Sequence, residues 1–377
     1  MRIALLDPTR WQFTVDTPYE RPLGGSQSSM CYLAAELAQL GQSVTIYNGN
    51  PTPSESRGVE HRNIDEVMAP GHLNKFDVVV VLNGAVGRAL RRDARVSVPL
   101  VLWNQHSHDQ PAIQELRRLN ERKSWTAFAF VGEWHLANFE RLFWIPRERS
   151  RVMRNAVSPA FTSQPVPKPW FATGEPPVLF YSSTPFRGLD VLLQAFPAIR
   201  AAIPGTRLRV FSSMGVYQVA AENDEFQGLY QRARQIEGVE YIGSVGQAQL
   251  ARETASAAAL AYPSTFAEAF CITVVETMAV GAAVLTTTLG ALPETTDGHA
   301  SMVEWQADKT KLAENFTAMT IATLREMQQD PATAAVRSAA RIKYVNDNFT
   351  WPARARQWLD WLTEIVQSQP RAPGLSP

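Results

Sequence analysis

ALAYPSTFAEAFCITVVETMAVGAAVLTTTLGALPETT, residues 259–296, is the stretch whose reading decides the fold. The apolar run Ala257 to Tyr262 reads as a buried strand that Pro263 ends. A loop follows and carries Glu268. A helical pattern from about Ile272 to Val280 carries Glu276, and Gly281 closes it, as glycine does just past a helix end. A second apolar run, Ala283 to Thr287, leads to Gly290 and Glu294. The result is a β-loop-α-β unit with carboxylates on the loop, in the helix and after the second strand. Open α/β sheets bind ligands outside the carboxyl ends of their strands. Glu268 and Glu294 fall there.

Spacing separates the two central carboxylates. On one continuous helix Glu268 and Glu276 would point about 80° apart. Glu268 therefore belongs on the loop and Glu276 in the early helix, where each can grip its own hydroxyl pair on one long ligand. Carboxylates accept strong hydrogen bonds from vicinal hydroxyls. The helix start suits a phosphate. The bland alternative is a pair of solvated helix-face glutamates.

Set within PSTFAEAF, VVETMAVG and GALPE, Glu268, seven residues and Glu276 resemble the signature of retaining GT-B glycosyltransferases, specifically the large family 4. The resemblance implies two Rossmann-like α/β domains facing each other across a cleft. It also implies transfer of a sugar from a nucleotide diphosphate sugar to an acceptor hydroxyl, with no cofactor and no metal. It places Glu268 on the donor sugar hydroxyls, Ala269 and Phe270 beside the diphosphate, and Glu276 on the ribose hydroxyls.

With 377 residues the chain is too long for one ordinary core, so two domains are expected. Lys+Arg and Asp+Glu both number 36, so no net field draws nucleic acid. Cys31 and Cys271 sit in apolar surroundings and read as buried thiols of a reducing compartment, the cytoplasm. MRIALLD at the start has no signal-peptide pattern, and no apolar run reaches the length of a membrane span.

The remaining motifs fall into place along the chain. Arg2 to Leu6, Ser43 to Tyr47, Asp77 to Leu82, Pro99 to Trp103, Thr126 to Val131 and Arg151 to Arg154 read as strands of a first domain, residues 1–157. Gly24 and Gly25 precede a helix from about Ser28 to Leu40. Two glycines let the backbone approach a diphosphate closely. This is no GxGxxG fingerprint, so a dinucleotide is not indicated. The basic runs Leu90 to Arg95 and Arg117 to Lys123 read as solvated faces. Their sharper reading is peripheral attachment to the inner face of a membrane. The strand at Pro99 delivers His106, His108 and Asp109 to a loop. A metal would need a third clustered ligand, and none is apparent. The resemblance places a histidine near the donor sugar, with His106 first in line and His108 second.

Residues 158–177 are rich in Pro, Ser and Thr and read as a linker. A second domain, 178–348, restarts the strand pattern at Val178. Arg187, before Gly188, opens a helix and has the fork to hold phosphate oxygens. In the resembled family the position is commonly Lys, accompanied by an earlier Arg. Here Ser182 and Ser183 stand in that shorter turn. The Gly-rich turn carrying Ser244 and Val245 is implied to lie near the base. Residues 349–366 read as a helix returning to the first domain, and 367–377 as a disordered tail. The competing functions are a nucleotide-sugar epimerase and a catalytically degenerate sugar-binding or scaffolding protein. Acceptors consistent with the chain are a glycan, a lipid-linked species or a small molecule.

Overall fold

Strand β1 (Arg2–Leu6) is apolar on both faces, and its last four residues are buried. It pairs in parallel with β2 (Ser43–Asn48) on one side and β5 (Val78–Leu82) on the other. Such a strand survives only where helices cover both sheet faces. The sheet runs outward through β4 (Val59–Asn63) and β3 (Ser54–Ser56) at one edge. At the other it runs through β6 (Leu100–Asn104), β7 (Ala127–Phe130) and β8 (Ser150–Val152). Only β3 is antiparallel to its neighbour. In this computed structural model residues 1–165 and 169–368 are described.

The second sheet is parallel throughout. Its order is β11 (Val239–Tyr241), β10 (Arg207–Phe211), β9 (Val178–Ser182), β12 (Ala259–Tyr262), β13 (Ala283–Thr287), β14 (Ser301–Val303). The chain lays β9, β10 and β11 outward in one direction, then starts again with β12 on the other side of β9. That reversal is the topological switch point, where open α/β sheets form a ligand crevice. Two loops converge there: the one after β9, carrying Arg187, and the one after β12, carrying Glu268.

The chain divides into two compact units. One comprises Met1–Thr17, Ser26–Asn155 and the C-terminal segment from Trp351. The other comprises Pro18–Gly25 and Ala156–Thr350. The last helix, Trp351–Gln367, thus belongs to the first unit despite its place in the chain. Its buried stripe explains why: Trp358 packs on Trp103 with ring centroids 5.1 Å apart, and Trp351 on Tyr32 at 5.7 Å. The helix ends at Gln367, one residue beyond its expected limit. Of the expected disordered tail, residues 369–377 lie outside the described residues. Within 158–177, Ser158 caps a short helix, Pro159–Thr162, by accepting from the Ala160 N–H. Residues 166–168 lie outside the described residues.

Two local differences from the sequence reading have plain causes. The helix after Gly24 begins at Gly25, a turn earlier than its apolar periodicity starts. Glu294 lies in a short helix, Leu292–Thr296, because Pro293 suits a first helical turn.

Candidate functional site

Glu268 lies on the loop after β12 and is only 4% exposed. Its burial is compensated. Arg187 Nη1 donates to both carboxylate oxygens, at 2.9 and 3.0 Å, and the Tyr262 hydroxyl donates to Oε1. Burial and the neighbouring Glu268 carboxylate push the Tyr262 hydroxyl far above its usual range, so it stays a donor. Burial opposes the Arg187 charge, but the Glu268 carboxylate, followed by Tyr217, Tyr262 and Cys271, outweighs it and raises the arginine's pKa. The guanidinium carbon sits 4.4 Å from the centroid of the Phe266 ring and 5.6 Å from that of Phe186.

Glycines make this meeting possible. Gly188 has φ 117°, and a Cβ there would lie 2.2 Å from the Pro263 carbonyl oxygen. Gly290 has φ 69°, and a Cβ there would lie 2.6 Å from the Glu268 nitrogen. Both positions bring backbone against the Glu268 loop more closely than any side chain permits. Ala291 N–H then donates to the Glu268 carbonyl at 2.8 Å.

Glu276 is the opposite case. It lies in the Ile272–Ala279 helix and is 5% exposed, and its carboxyl group makes no hydrogen bond or ion pair among the described residues. Burial alone raises its pKa to about 8. An isolated buried carboxylate is costly unless something later satisfies it. Between the two glutamates, Cys271 caps the helix with φ 72° and ψ 85°, a left-handed conformation. Its thiol is buried and free, as is that of Cys31. Ala269 and Phe270 are buried beside it. Phe270 packs edge-on against Phe349 at 5.6 Å, and its carbonyl accepts from Thr295. Gly25, in the same unit, comes up to this helix start: a Cβ on it would lie 3.0 Å from Ile272 Cδ1. Gly24 beside it is buried.

Residues 175–320 match the family described as Glycosyl transferases group 1. This stretch is similar to that family. It contains Arg187, Glu268 and Glu276. The whole chain has the GT-B fold of two Rossmann-like domains. It is similar to sucrose-phosphate synthase from Thermosynechococcus elongatus at 17% identity and TM-score 0.70, covering 98% of this chain and 100% of that one. A glycosyltransferase from Rickettsia africae matches at 13% identity and TM-score 0.72, covering 98% and 99%. HepE of Anabaena, solved in complex with UDP-glucose, matches at 14% identity and TM-score 0.70, covering 97% and 100%. Comparison with curated protein sequences finds no match.

The other expected residues within the matched stretch, Ser244 and Val245, occupy a half-buried loop after β11. Ser244 Oγ approaches Gly215, 3.6 Å from where its Cβ would sit. In the first unit, His106 follows β6 and is half-buried. Asn104 brackets its backbone, accepting from the His106 N–H at 3.2 Å and donating to its carbonyl at 3.1 Å. His135 Nε2 lies 2.8 Å from the same carbonyl, while its Nδ1 faces the Val131 N–H at 3.5 Å. That assigns the proton to Nε2. Burial pushes the His135 imidazole down to about 3, so it is neutral. His108 is held through its carbonyl, which accepts from Gln114 Nε2 at 2.7 Å. Among the described residues no group of three or more His, Cys, Asp or Glu is placed to hold a metal ion.

Sequence reasoning gave no place around these loops to Tyr262, Tyr217, Phe266 or His135. Tyr262 was in view as the end of an apolar strand, where a hydroxyl emerging at the carboxyl edge was the available signal. His135 sits in a helical run, EWHLANF, and nothing local distinguishes it from a surface histidine.

The basic runs fare differently. Arg91 is turned inward, donating to the Ser124, Val96 and Val98 carbonyls. Arg92 pairs with Asp93. Around Arg117 to Lys123 a real surface remains: Leu119 is 53% and Trp144 68% exposed, with the Arg122 guanidinium 5.7 Å from the Trp144 ring centroid. Among the described residues no helix is long and apolar enough to cross a membrane.

Proposed function

We propose that the protein is a retaining glycosyltransferase that moves a sugar from a nucleotide diphosphate sugar to an acceptor hydroxyl. The observation carrying this is the pair of buried carboxylates in one loop-helix unit, one satisfied and one not. Glu276 lacks any partner among the described residues, and a ribose diol supplies two O–H donors to it. Glu268, fixed by Arg187 and Tyr262, reads the donor sugar hydroxyls. Because both its oxygens are already engaged, it is a binding group and not a poised nucleophile. The diphosphate is met by backbone N–H groups at the start of the Ile272–Ala279 helix and by the Gly24–Gly25 backbone. His106 acts on the sugar, and Ser244 and Val245 lie along the base.

Charge develops on the leaving diphosphate as the glycosidic bond breaks, so fixed donors aimed at it lower the barrier. The leaving phosphate oxygen takes the acceptor proton on the same face, which gives retention without a covalent intermediate. No metal ion is part of the proposal. HepE of Anabaena in complex with UDP-glucose and starch synthase IV of Arabidopsis thaliana bound to ADP and acarbose have the same fold and support a nucleotide-linked donor.

The test is product analysis with a panel of UDP-, ADP- and GDP-sugars and hydroxyl acceptors. Transferred sugar with retained anomeric configuration is expected. An epimerised nucleotide sugar supports the epimerase reading, and binding without turnover the degenerate one. Peripheral attachment to an anionic membrane rests on Leu119, Trp144 and the arginines around them. Co-sedimentation with vesicles containing anionic lipid checks it. Loss of binding in Leu119→Ser/Trp144→Ser is expected, and equal sedimentation with and without vesicles removes it.

A further inference from the structure

Packing alone asks for a ring at position 135, but not for this one. Phe130 lies edge-on to it with ring centroids 5.1 Å apart, and Phe139 edge-on at 5.0 Å. A phenyl would fill that apolar slot as well. We infer that His135 is a positioning residue for His106, holding its backbone through the Nε2 proton. The inference rests on the proposed action of His106 on the sugar and extends it to the group that fixes His106 in place.

His135 stands in the first turn of the helix Glu133–Phe143, beyond the carboxyl end of β7, and is 1% exposed. Its ring bridges the ends of two paired strands. Nδ1 faces the Val131 N–H just past β7, and Nε2 donates its proton to the His106 carbonyl just past β6 at 2.8 Å. Asn104 Nδ2 reaches the same carbonyl at 3.1 Å. A carbonyl oxygen has two lone pairs, and here each meets a donor. The 3.1 Å between Asn104 Nδ2 and His135 Nε2 follows from that convergence. Asn104 Oδ1 accepts from the His106 N–H. Both polar groups of the His106 backbone are thus tied to buried side chains.

The preceding residue is held in the same way. Gln105 N–H donates to Asn83 Oδ1 at 2.6 Å, and Gln105 Oε1 accepts from Asn155 Nδ2 at 2.9 Å. Asn83 follows β5, with φ 54°, and Asn155 follows β8. Polar side chains from beyond four adjacent strands, β5 to β8, therefore converge on residues 104–106. This is the sheet end at which α/β folds bind ligands. Burial keeps the His135 imidazole neutral, with its pKa lowered to about 3, so it moves no proton near neutral pH. Its contribution is a fixed donor that sets where the His106 side chain leaves the backbone.

The experiment is steady-state transfer by the full chain with the UDP-, ADP- and GDP-sugars of the product panel, beside calorimetry with the matching nucleoside diphosphate and thermal melting. His135→Phe keeps a ring in the slot and deletes the proton. The His106 carbonyl retains Asn104, so no buried acceptor is orphaned and the chain should fold. Its kcat should fall about 10- to 100-fold, the cost of a misplacement of about 1 Å. Nucleoside diphosphate affinity should stay within about threefold, since a lost aim lowers kcat and not binding. His135→Gln gives up the ring but returns an amide N–H near the Nε2 position. It should melt below His135→Phe yet turn over within about fivefold of wild type. Activity running opposite to stability separates positioning from packing. In a His106→Ala chain, His135→Phe should cost no further turnover, because no side chain is left to aim. Wild-type turnover in His135→Phe, turnover that follows melting temperature across the two variants, or an undiminished loss in the His106→Ala chain overturns the inference while leaving the proposed reaction standing. Wild-type turnover in His106→Ala overturns the role of His106, and the inference with it. Wild type transferring no sugar from the panel overturns the proposed reaction and the inference together.

Discussion

Replacing Glu276 with Gln should change how nucleotide binding depends on pH. Burial raises the Glu276 pKa from 4.5 to about 8, with no charged neighbour contributing. At pH 7 the free protein therefore holds this carboxyl about 90% protonated. Accepting two ribose hydroxyls favours the ionised form, because a carboxylate accepts strongly at both oxygens while a protonated carboxyl turns one of them into a donor. Binding at pH 7 thus costs about 1.4 kcal/mol for deprotonation. Hydrogen bonds to the charged group, about 1.5–3 kcal/mol each, offset it. Two consequences follow. Affinity for the nucleoside diphosphate should rise by up to about tenfold per pH unit between pH 6 and 7 and level off above about 8. Binding at pH 7 should also release about 0.9 proton from this site. Calorimetry in buffers of different ionisation enthalpy reads both. Glu276→Gln supplies the baseline that removes the titration of the ligand phosphates. The sign for stability is opposite. Between 4.5 and about 8 the folded chain holds the proton that the unfolded chain has lost, so this group's contribution falls as pH rises. Glu276→Gln should gain most in melting temperature, relative to wild type, near pH 8 and least near pH 5. Superimposable binding profiles and equal proton release in wild type and Glu276→Gln would refute the reasoning.

Other substitutions probe the scaffold around the site. Gly290→Ala puts a Cβ 2.6 Å from the Glu268 nitrogen at φ 69°, so turnover should fall at least about tenfold for even a slight displacement of Glu268; steady-state transfer measures it. Cys271→Gly should melt within a few degrees of wild type, because relief of the left-handed strain balances the loss of a small buried side chain. Cys271→Val should cost about 2 kcal/mol or more in denaturant unfolding. Trp358→Ala empties a fully buried position against Trp103 and should cost about 3–5 kcal/mol, seen as a lowered denaturation midpoint.

How much of this was legible in the sequence depended on where each residue finds its partners. The run at Val78–Leu82 declares itself because both faces of its strand are covered and every position must be apolar. The β3–β4 pair escaped because SES and VEHRN lie at a sheet edge, where polar side chains are tolerated and periodicity fades. β14 escaped for a similar reason: all three of its residues are only half-buried. Glu268 and Glu276 stood out as carboxylates in an apolar run, and that local contrast survived into the fold. The surroundings of Arg187 were not legible there. Its partner is 81 residues away, and the two meet because β12 returns to lie beside β9. Gly188 shows how tight that meeting is, yet in the sequence it reads only as a residue before a helix. Local chemistry alone suggests a phosphate for Arg187, because a fork at a helix start suits one. The sheet order also sets a carboxylate against it, so Glu268 fixes the arginine in place before any ligand arrives.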